Sequence, residues 1–211
     1  MQVFTIDPQE PDEALVRTAA AILRNGGIIA YPTETFYGLG ADSENEYAIE
    51  KIFAAKGRAF NKPLSLIIGQ TSDIARFIKT IPDAGRKLMD TFWPGGLTLV
   101  FEASQNVSHR LTAETGKIGI RLSSNSIAAA LAKMIGGAIT ATSANLAGKD
   151  ECTTAREVTD ALADRVDAVI DGGRTPGGEG STIVDVTIDP PVVIREGIIL
   201  SSAIFDTLEK I

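Results

Sequence analysis

Residues 26–40 read GGIIAYPTETFYGLG, and after a helix-like segment residues 56–66 read KGRAFNKPLSL. Asn25, Gly26 and Gly27 stop a helix. The apolar run Ile28 to Tyr31 that follows reads as a short strand ended by Pro32. Thr33, Thr35 and Tyr37 bring hydroxyls to the strand's exit, and Gly38 and Gly40 free the backbone beyond it. Lys56, Arg58 and Lys62 then precede Leu64 to Ile68, a run apolar but for Ser65 that reads as a strand buried on both faces. Hydroxyls at one strand's end and cations ahead of the next suit a polar, anionic small molecule. Arginine offers a fork that matches phosphate oxygens, and lysine a point charge. The competing reading of the three cations is a solvated loop.

Helical and extended patterns intermix outward from this stretch. Val3 to Ile6 reads as a short edge strand. Pro11, Asp12 and Glu13 mark a helix start, and Ala14, Leu15, Ala19, Ile22 and Leu23 recur at helical spacing. Ser43 and Glu46 suggest a capping box for the helix that buries Ala48, Ile49, Ile52 and Phe53. Two short helices, 71–78 and 83–92, precede a β-rich segment at 97–102 and a loop at 103–115. Strands at 118–122, 138–142, 166–170, 182–186 and 192–195 alternate with helices that begin at Ser123, Ser124 or Asn125, at Thr153 or Thr154, and at Ser201 or Ser202. No linker or repeat divides the chain. The order predicts one α/β (α+β) domain over residues 1–211, with a twisted mixed sheet rather than an all-parallel one.

Composition narrows the function. A length of 211 residues with 44% hydrophobic content supports one sizeable core. The net charge of -7 disfavours a protein that coats nucleic acid electrostatically. One cysteine, Cys152, and one histidine, His109, argue against Cys-based zinc sites and multi-His metal sites, so no protein-held metal is expected. No apolar run reaches membrane length and no signal-like segment opens the chain, which predicts a cytoplasmic protein without a membrane role.

Other cations and hydroxyls stand at strand ends. Arg121 lies inside IGIRL, a run that otherwise reads as core. A buried guanidinium left unpaired costs roughly 3–5 kcal/mol, so it needs either an internal acid or a bound carboxylate. Arg195, in VVIRE, repeats the pattern. ATSAN (141–145) and the Gly-rich DGGRTPGGEGST (171–182) place small polar groups and backbone N–H groups at strand junctions. There is no P-loop, GxGxxG or GxSxG motif, and no nucleophile with an adjacent base. The inventory suits chemistry by positioning and charge neutralisation, such as carboxylate attack on a phosphate.

Together, YPTETFYGLGAD, KGRAFNKPL, WPGGLTLVF, GIRLS, TSANLAG, DGG, GSTIVD and IREG stand in the order and spacing of the YrdC/YciO family, which the chain resembles over about residues 12–200. The resemblance implies a twisted mixed sheet around a large concave, positively charged cavity. It also implies threonylcarbamoyl-AMP synthesis from L-threonine, bicarbonate and ATP with Mg²⁺, releasing pyrophosphate. A downstream transferase complex would then place the threonylcarbamoyl group on a tRNA adenosine. By the same resemblance Thr35, Arg121, Ala141 and Ser181 contact threonine. Arg58, Lys62, Lys117, Ser143, Asn145 and Arg195 contact ATP. Lys56 and Arg58 hold the reacting phosphates.

Two departures stand out. Ile67 occupies a position where many synthases carry histidine, which implies one lost threonine contact. The chain ends at Ile211, so the short form without a second C-terminal domain is expected. The alternative is a YciO-like paralogue acting as an RNA- or nucleotide-binding, translation-associated protein, with weak RNA binding left open.

Overall fold

The computed structural model, which describes residues 1–209, carries ten strands in one sheet among the described residues. In chain order they are β1 (Gln2–Thr5), β2 (Ile29–Pro32), β3 (Tyr37–Gly40), β4 (Ser65–Ile68), β5 (Leu97–Glu102), β6 (Lys117–Arg121), β7 (Ala138–Ser143), β8 (Ala168–Asp171), β9 (Thr182–Asp185) and β10 (Val192–Arg195). The helices are α1 (Glu13–Arg24), α2 (Glu46–Lys56), α3 (Asp83–Phe92), α4 (His109–Thr112), α5 (Ser126–Ile135), α6 (Ala155–Leu162) and α7 (Ser201–Glu209). Across the sheet the strands run β1-β8-β2-β3-β7-β4-β6-β5-β9-β10. The pairs β1/β8, β8/β2, β4/β6 and β5/β9 are parallel and the rest antiparallel, so the sheet is mixed, as expected. β7 joins the two halves: Ala138–Ala141 pair with β4, while Thr142 and Ser143 pair with β3. No helix among the described residues is long and apolar enough to cross a membrane.

Local chemistry sets most element ends. The Asp12 carboxylate accepts from the N–H groups of Ala14 and Leu15 and starts α1. Asn125 does the same for α5, and Thr154 with Glu157 forms a capping box for α6. The expected Ser43–Glu46 box is not what starts α2. Asn45 is the cap, accepting from Ala48 N at 3.1 Å, and Glu46 accepts from the Ser108 hydroxyl instead. The expected helix at 71–78 is a 3-10 helix over Thr71–Arg76, and the expected loop at 103–115 contains the single turn α4.

β3 is the strand that the sequence reading lacked, because paired glycines weaken a strand signal. Their role is spatial. β2 and β3 pair antiparallel with Tyr31 opposite Gly38, and the Tyr31 ring lies over the β3 backbone. A Cβ on Gly38 would stand 3.0 Å from that ring, and one on Gly40 only 2.7 Å. The Tyr31 hydroxyl reaches on to donate to the Thr140 carbonyl of β7 at 2.9 Å. One aromatic ring thus crosses from β2 over β3 to β7.

The two sheet faces are covered unequally. One face packs β-strand residues such as Leu66, Leu99, Ile118, Ile120 and Val184 under α2, α3, α6 and α7. The other carries a smaller cluster in which α1 and α5 cover Ile29, Tyr31, Ile67, Ile139, Ala168 and Ile170. Alternation along β6 shows where that cover stops. Ile118 and Ile120 face the larger core, whereas Gly119 and Arg121 face the other side. On that side Gly119 abuts Ser65 and Thr98. Beyond β4 this face is bare of helix and lined by polar groups.

Gly40→Ala should lower unfolding free energy by about 1–3 kcal/mol, because the added methyl must displace a fully buried ring. Urea unfolding checks this: a reduced midpoint at unchanged slope is expected, and parent-like stability would contradict the packing described.

Candidate active site

The bare part of the face forms a cavity of about 240 Å³, lined by Thr35, Arg58, Arg121, Ala141, Ser143, Ser181 and Arg195 among others. A more open space of about 510 Å³ adjoins it, lined by Lys56, Arg58, Lys62, Ser143 and Asn145. Arg58, Thr142 and Ser143 line both. The expected site residues therefore gather in two connected compartments, with one exception, Lys117.

The end of α2 delivers the first cations. Gly57 takes a left-handed conformation (φ 60°), and the N–H groups of Gly57 and Arg58 return to Ala54 O and Phe53 O. This closes the helix in the manner favoured by glycine. It turns Lys56 inward and carries Arg58 over the junction of the compartments. Lys56 is buried at 4% exposure, and its ammonium donates to Ser143 O, to Asn145 O at 2.9 Å and to Asn145 Oδ1 at 3.0 Å. Its three donors are thus engaged within the chain. Burial, helped by the nearby Arg58, pushes the Lys56 ammonium down to about 8. Lys56 fixes the Ser143–Asn145 turn, whose Ser143 hydroxyl also donates to Asn145 Oδ1 at 2.7 Å.

Arg58 and Lys62 differ from Lys56. Arg58 donates to Thr142 Oγ1 at 3.2 Å and to Pro63 O at 3.0 Å, leaving its buried Nε without a hydrogen-bond partner. Its pKa is lowered by burial. Lys62 is exposed at the rim of the open compartment.

In the closed compartment the β2–β3 turn supplies hydroxyls. Thr33 Oγ1 and Thr35 Oγ1 lie 3.2 Å apart, and both residues are buried. Thr33 also accepts from Thr35 N and donates to Phe36 O, which locks the turn. The Gly-rich loop closes behind it through Gly177 N to Thr35 O at 2.8 Å. Opposite, Ser181 Oγ meets Thr98 Oγ1 at 3.0 Å, and Arg195 donates through Nε and Nη2 to Ser181 O at 3.1 and 2.7 Å. Arg195 does not repeat the buried pattern of Arg121. It sits on the edge strand β10, where Val192 and Ile194 are exposed, and reaches back into the cavity past Gly180. Burial of its guanidinium lowers its pKa.

Arg121 is 7% exposed and has an internal acid, Glu34, whose Oε1 lies 3.4 Å from its Nη1. Arg121 Nε has no hydrogen-bond partner. The two options left open by the sequence therefore coexist: an internal carboxylate holds the guanidinium, and a donor remains on a residue that lines the cavity.

Lys117 stands apart from the other expected residues. Its ammonium pairs with Asp185 at 2.8 Å at the other end of β6, and it lines neither compartment. Ile67 also falls outside the lining. It is fully buried in the α1/α5 cluster. Sequence reasoning missed Glu34, Tyr31, Ser65, Thr98 and Glu151. For Glu34 the signal was present: an acid between two threonines in a stretch otherwise apolar or hydroxylic.

Comparison with known proteins agrees with this architecture. A family model, Sua5_yciO_yrdC, described as telomere recombination, matches residues 21–197. The threonylcarbamoyl-AMP synthase of Pyrococcus abyssi is 38% identical over 186 residues, covering 88% of this chain and 55% of that protein. The crystal structure of P. abyssi Sua5 complexed with L-threonine superposes with a TM-score of 0.96 at 34% identity, over 100% of this chain and 62% of that one. Escherichia coli YciO superposes with a TM-score of 0.86 at 33% identity, over 93% and 96% of the two chains. The chain spans a little over half the length of the P. abyssi and Bacillus subtilis synthases, and 92% of a putative threonylcarbamoyl-AMP synthase of Mycobacterium tuberculosis to which it is 31% identical.

Replacing Lys56 by Met should strand the Ser143 and Asn145 acceptors and lower stability by about 3 kcal/mol at pH 7. The sign with pH follows from its position. The folded-state value near 8 lies below the ordinary lysine value of about 10.4. The unfolded chain therefore binds more protons between them, and parent stability relative to Lys56→Met rises over that interval. Denaturant titrations at pH 7.5 and 10 check both; a gap that narrows at high pH would contradict the assignment.

Proposed function

The chain belongs to the Sua5/YciO/YrdC family, and from that premise we propose that it condenses L-threonine, bicarbonate and ATP into threonylcarbamoyl-AMP and pyrophosphate. The observation that carries the proposal is the pair of compartments joined at Arg58, Thr142 and Ser143. The closed one offers a guanidinium, a hydroxyl pair and small side chains, which suits an amino acid. The open one is lined by Lys56, Arg58 and Lys62, which suits polyphosphate. The crystal structure of P. abyssi Sua5 with L-threonine supports the first assignment.

In this reading Arg121 takes the amino-acid carboxylate, and the Thr33–Thr35 turn faces its side chain. Ala141 and Ser181 complete the walls. The threonine amine captures CO₂ or bicarbonate as a carbamate, and a carbamate oxygen attacks the α-phosphate in line as pyrophosphate leaves. Arg58, at the junction, lies where charge builds in that step. It has a buried, unpartnered Nε to offer. Lys56 acts at one remove by fixing the Ser143–Asn145 turn, and Lys62 and Arg195 flank the nucleotide. The compartments are lined by cations and hydroxyls with one acid, Glu151, among the described residues. No cluster of three or more His, Cys, Asp or Glu occurs among them. That donor set does not fit a resident metal, so Mg²⁺ enters this proposal as part of the substrate MgATP. The product would pass to a transferase that modifies a tRNA adenosine.

The near full-length likeness to YciO favours a second reading, a paralogue with a different ligand. One assay separates them. Pyrophosphate release from ATP and bicarbonate should require L-threonine, and Arg121→Ala should reduce it at least a hundredfold while leaving the circular dichroism spectrum unchanged. Threonine-independent release, or full activity of the variant, would overturn the synthase reading.

A further inference from the structure

Glu34 occupies the turn between β2 and β3, with Thr33 and Thr35 on either side. Both threonines line the closed cavity, whereas Glu34 turns away to the end of β6. There its Oε1 lies 3.4 Å from Arg121 Nη1, and its Oε2 accepts from the Ser123 hydroxyl. Ser123 Oγ in turn accepts from Asn125 N at 3.1 Å, the residue that caps α5. The carboxylate is therefore anchored on one side to a rigid helix start and on the other to the guanidinium.

The separation of these partners gives the contact its meaning. Between the β2–β3 turn and β6 the sheet places β3, β7 and β4. In a flat sheet that is three to four spacings, roughly 14–19 Å at about 4.8 Å per strand. Extended glutamate and arginine side chains bridge that span, and their contact joins the β2–β3 turn to the end of β6. Both groups are buried, with side-chain exposures of 8% for Arg121 and 12% for Glu34. In such surroundings the ion pair is weakly screened. It makes no aligned hydrogen bond, since Glu34 Oε1 and Arg121 Nε each lack one. Glu34 thus holds Arg121 by charge while leaving a donor of the guanidinium uncommitted.

We infer that Glu34 is the positioning residue of the amino-acid site: it fixes the distance between the Thr33–Thr35 hydroxyls and the Arg121 guanidinium, and so selects a ligand with a carboxylate at that separation. This rests on the reading that Arg121 receives the amino-acid carboxylate. Glu34 acts through Arg121 and touches no substrate. Its charge also offsets that of Arg121, which lies in the same cavity as Arg58 and Arg195. Without Glu34 the guanidinium has no fixed orientation, and a carboxylate ligand loses its defined partner.

The test compares L-threonine with L-threonine amide, which lacks the carboxylate charge, by calorimetry on the full chain. The parent should prefer L-threonine strongly. Glu34→Gln keeps the shape and an acceptor for Ser123 but removes the charge. It should reduce that preference about tenfold, with amide affinity and ATP affinity within twofold of the parent. Glu34→Asp, which keeps the charge on a shorter arm, should fall between. A merely structural role would weaken both ligands together. Ser123→Ala, which frees the other anchor, gives a second route if Glu34→Gln folds poorly, and should reduce the preference in the same sense. An unchanged preference in a folded variant overturns the positioning role. The functional reading fails separately: if Arg121→Ala keeps the parent's preference, the carboxylate does not bind there and both fall. If Arg121→Ala abolishes the preference and Glu34→Gln retains it, only the role of Glu34 falls.

Discussion

The unequal cover of the sheet is the constraint on which the site depends. α1 and α5 are enough to bury one face over β1, β8, β2, β3 and half of β7 and β4, and no further. The opposite face is covered by four helices along the sheet's length. A sheet with one face bare over β6, β5 and β9 must line that area with groups that tolerate water. It does so with Ser65, Thr98, Ser181 and Arg121, while the alternate residues of the same strands stay apolar. The polar site is thus the complement of the helix layer. Its position follows from where the described helices stop as much as from which polar residues line it.

Charge within the bare area is graded by what each cation already touches. Lys56 is spent on three backbone and side-chain acceptors, and it serves the site as a fastener. Arg195 is largely committed to Ser181. Arg58 and Arg121 each keep a buried Nε without a partner. A desolvated guanidinium that lacks one hydrogen bond is poised for an anion, because binding restores what burial removed. The two that remain poised lie one in each half of the site, Arg58 at the junction and Arg121 at the closed end. This is the arrangement expected if two anionic centres must be held at a set separation while a bond forms between them.

Much of this was legible where the signal was local. Helix starts near Asp12, within 123–125 and at Thr153 or Thr154, and the mixed order of elements, follow from capping chemistry and apolar spacing, whereas the run 64–68, expected to be buried on both faces, opens to the cavity at Ser65. A lone arginine in IGIRL marked a buried cation in need of a partner. What stayed hidden was non-local. β3 was obscured because its glycines serve the Tyr31 ring of the neighbouring strand, not their own. VVIRE resembled IGIRL, yet β10 is an edge and β6 is interior, a difference fixed by strand order rather than by composition. Lys117 and Lys62 looked alike as site cations, but Asp185 takes the first, in a pairing that crosses β5 to reach β9. Glu34 drew no notice because its partners lie 87 and 89 residues along the chain.

Ile67 shows how sharp the boundary of the site is. On β4, Ser65 lines the cavity, and Ile67, two residues on and on the same face, is sealed in the α1/α5 cluster with Tyr31 and Ile139. Leu66 and Ile68 face the other core. The change from polar lining to packed interior therefore occurs within one repeat of the strand. An apolar side chain there extends the helix cover up to the rim, whereas a polar one would need a hydrogen-bond partner inside that cluster or would have to borrow one from the cavity. With isoleucine in place, the polar groups of this compartment lie elsewhere on its wall, among them Ser65, Thr98, the Thr33–Thr35 turn, Arg121 and Ser181. Glu34 sits within the turn and beside the guanidinium, and so links two of these groups. The apolar edge at Ile67 thus leaves the polar character of the compartment to the residues beyond it, two groups of which Glu34 links.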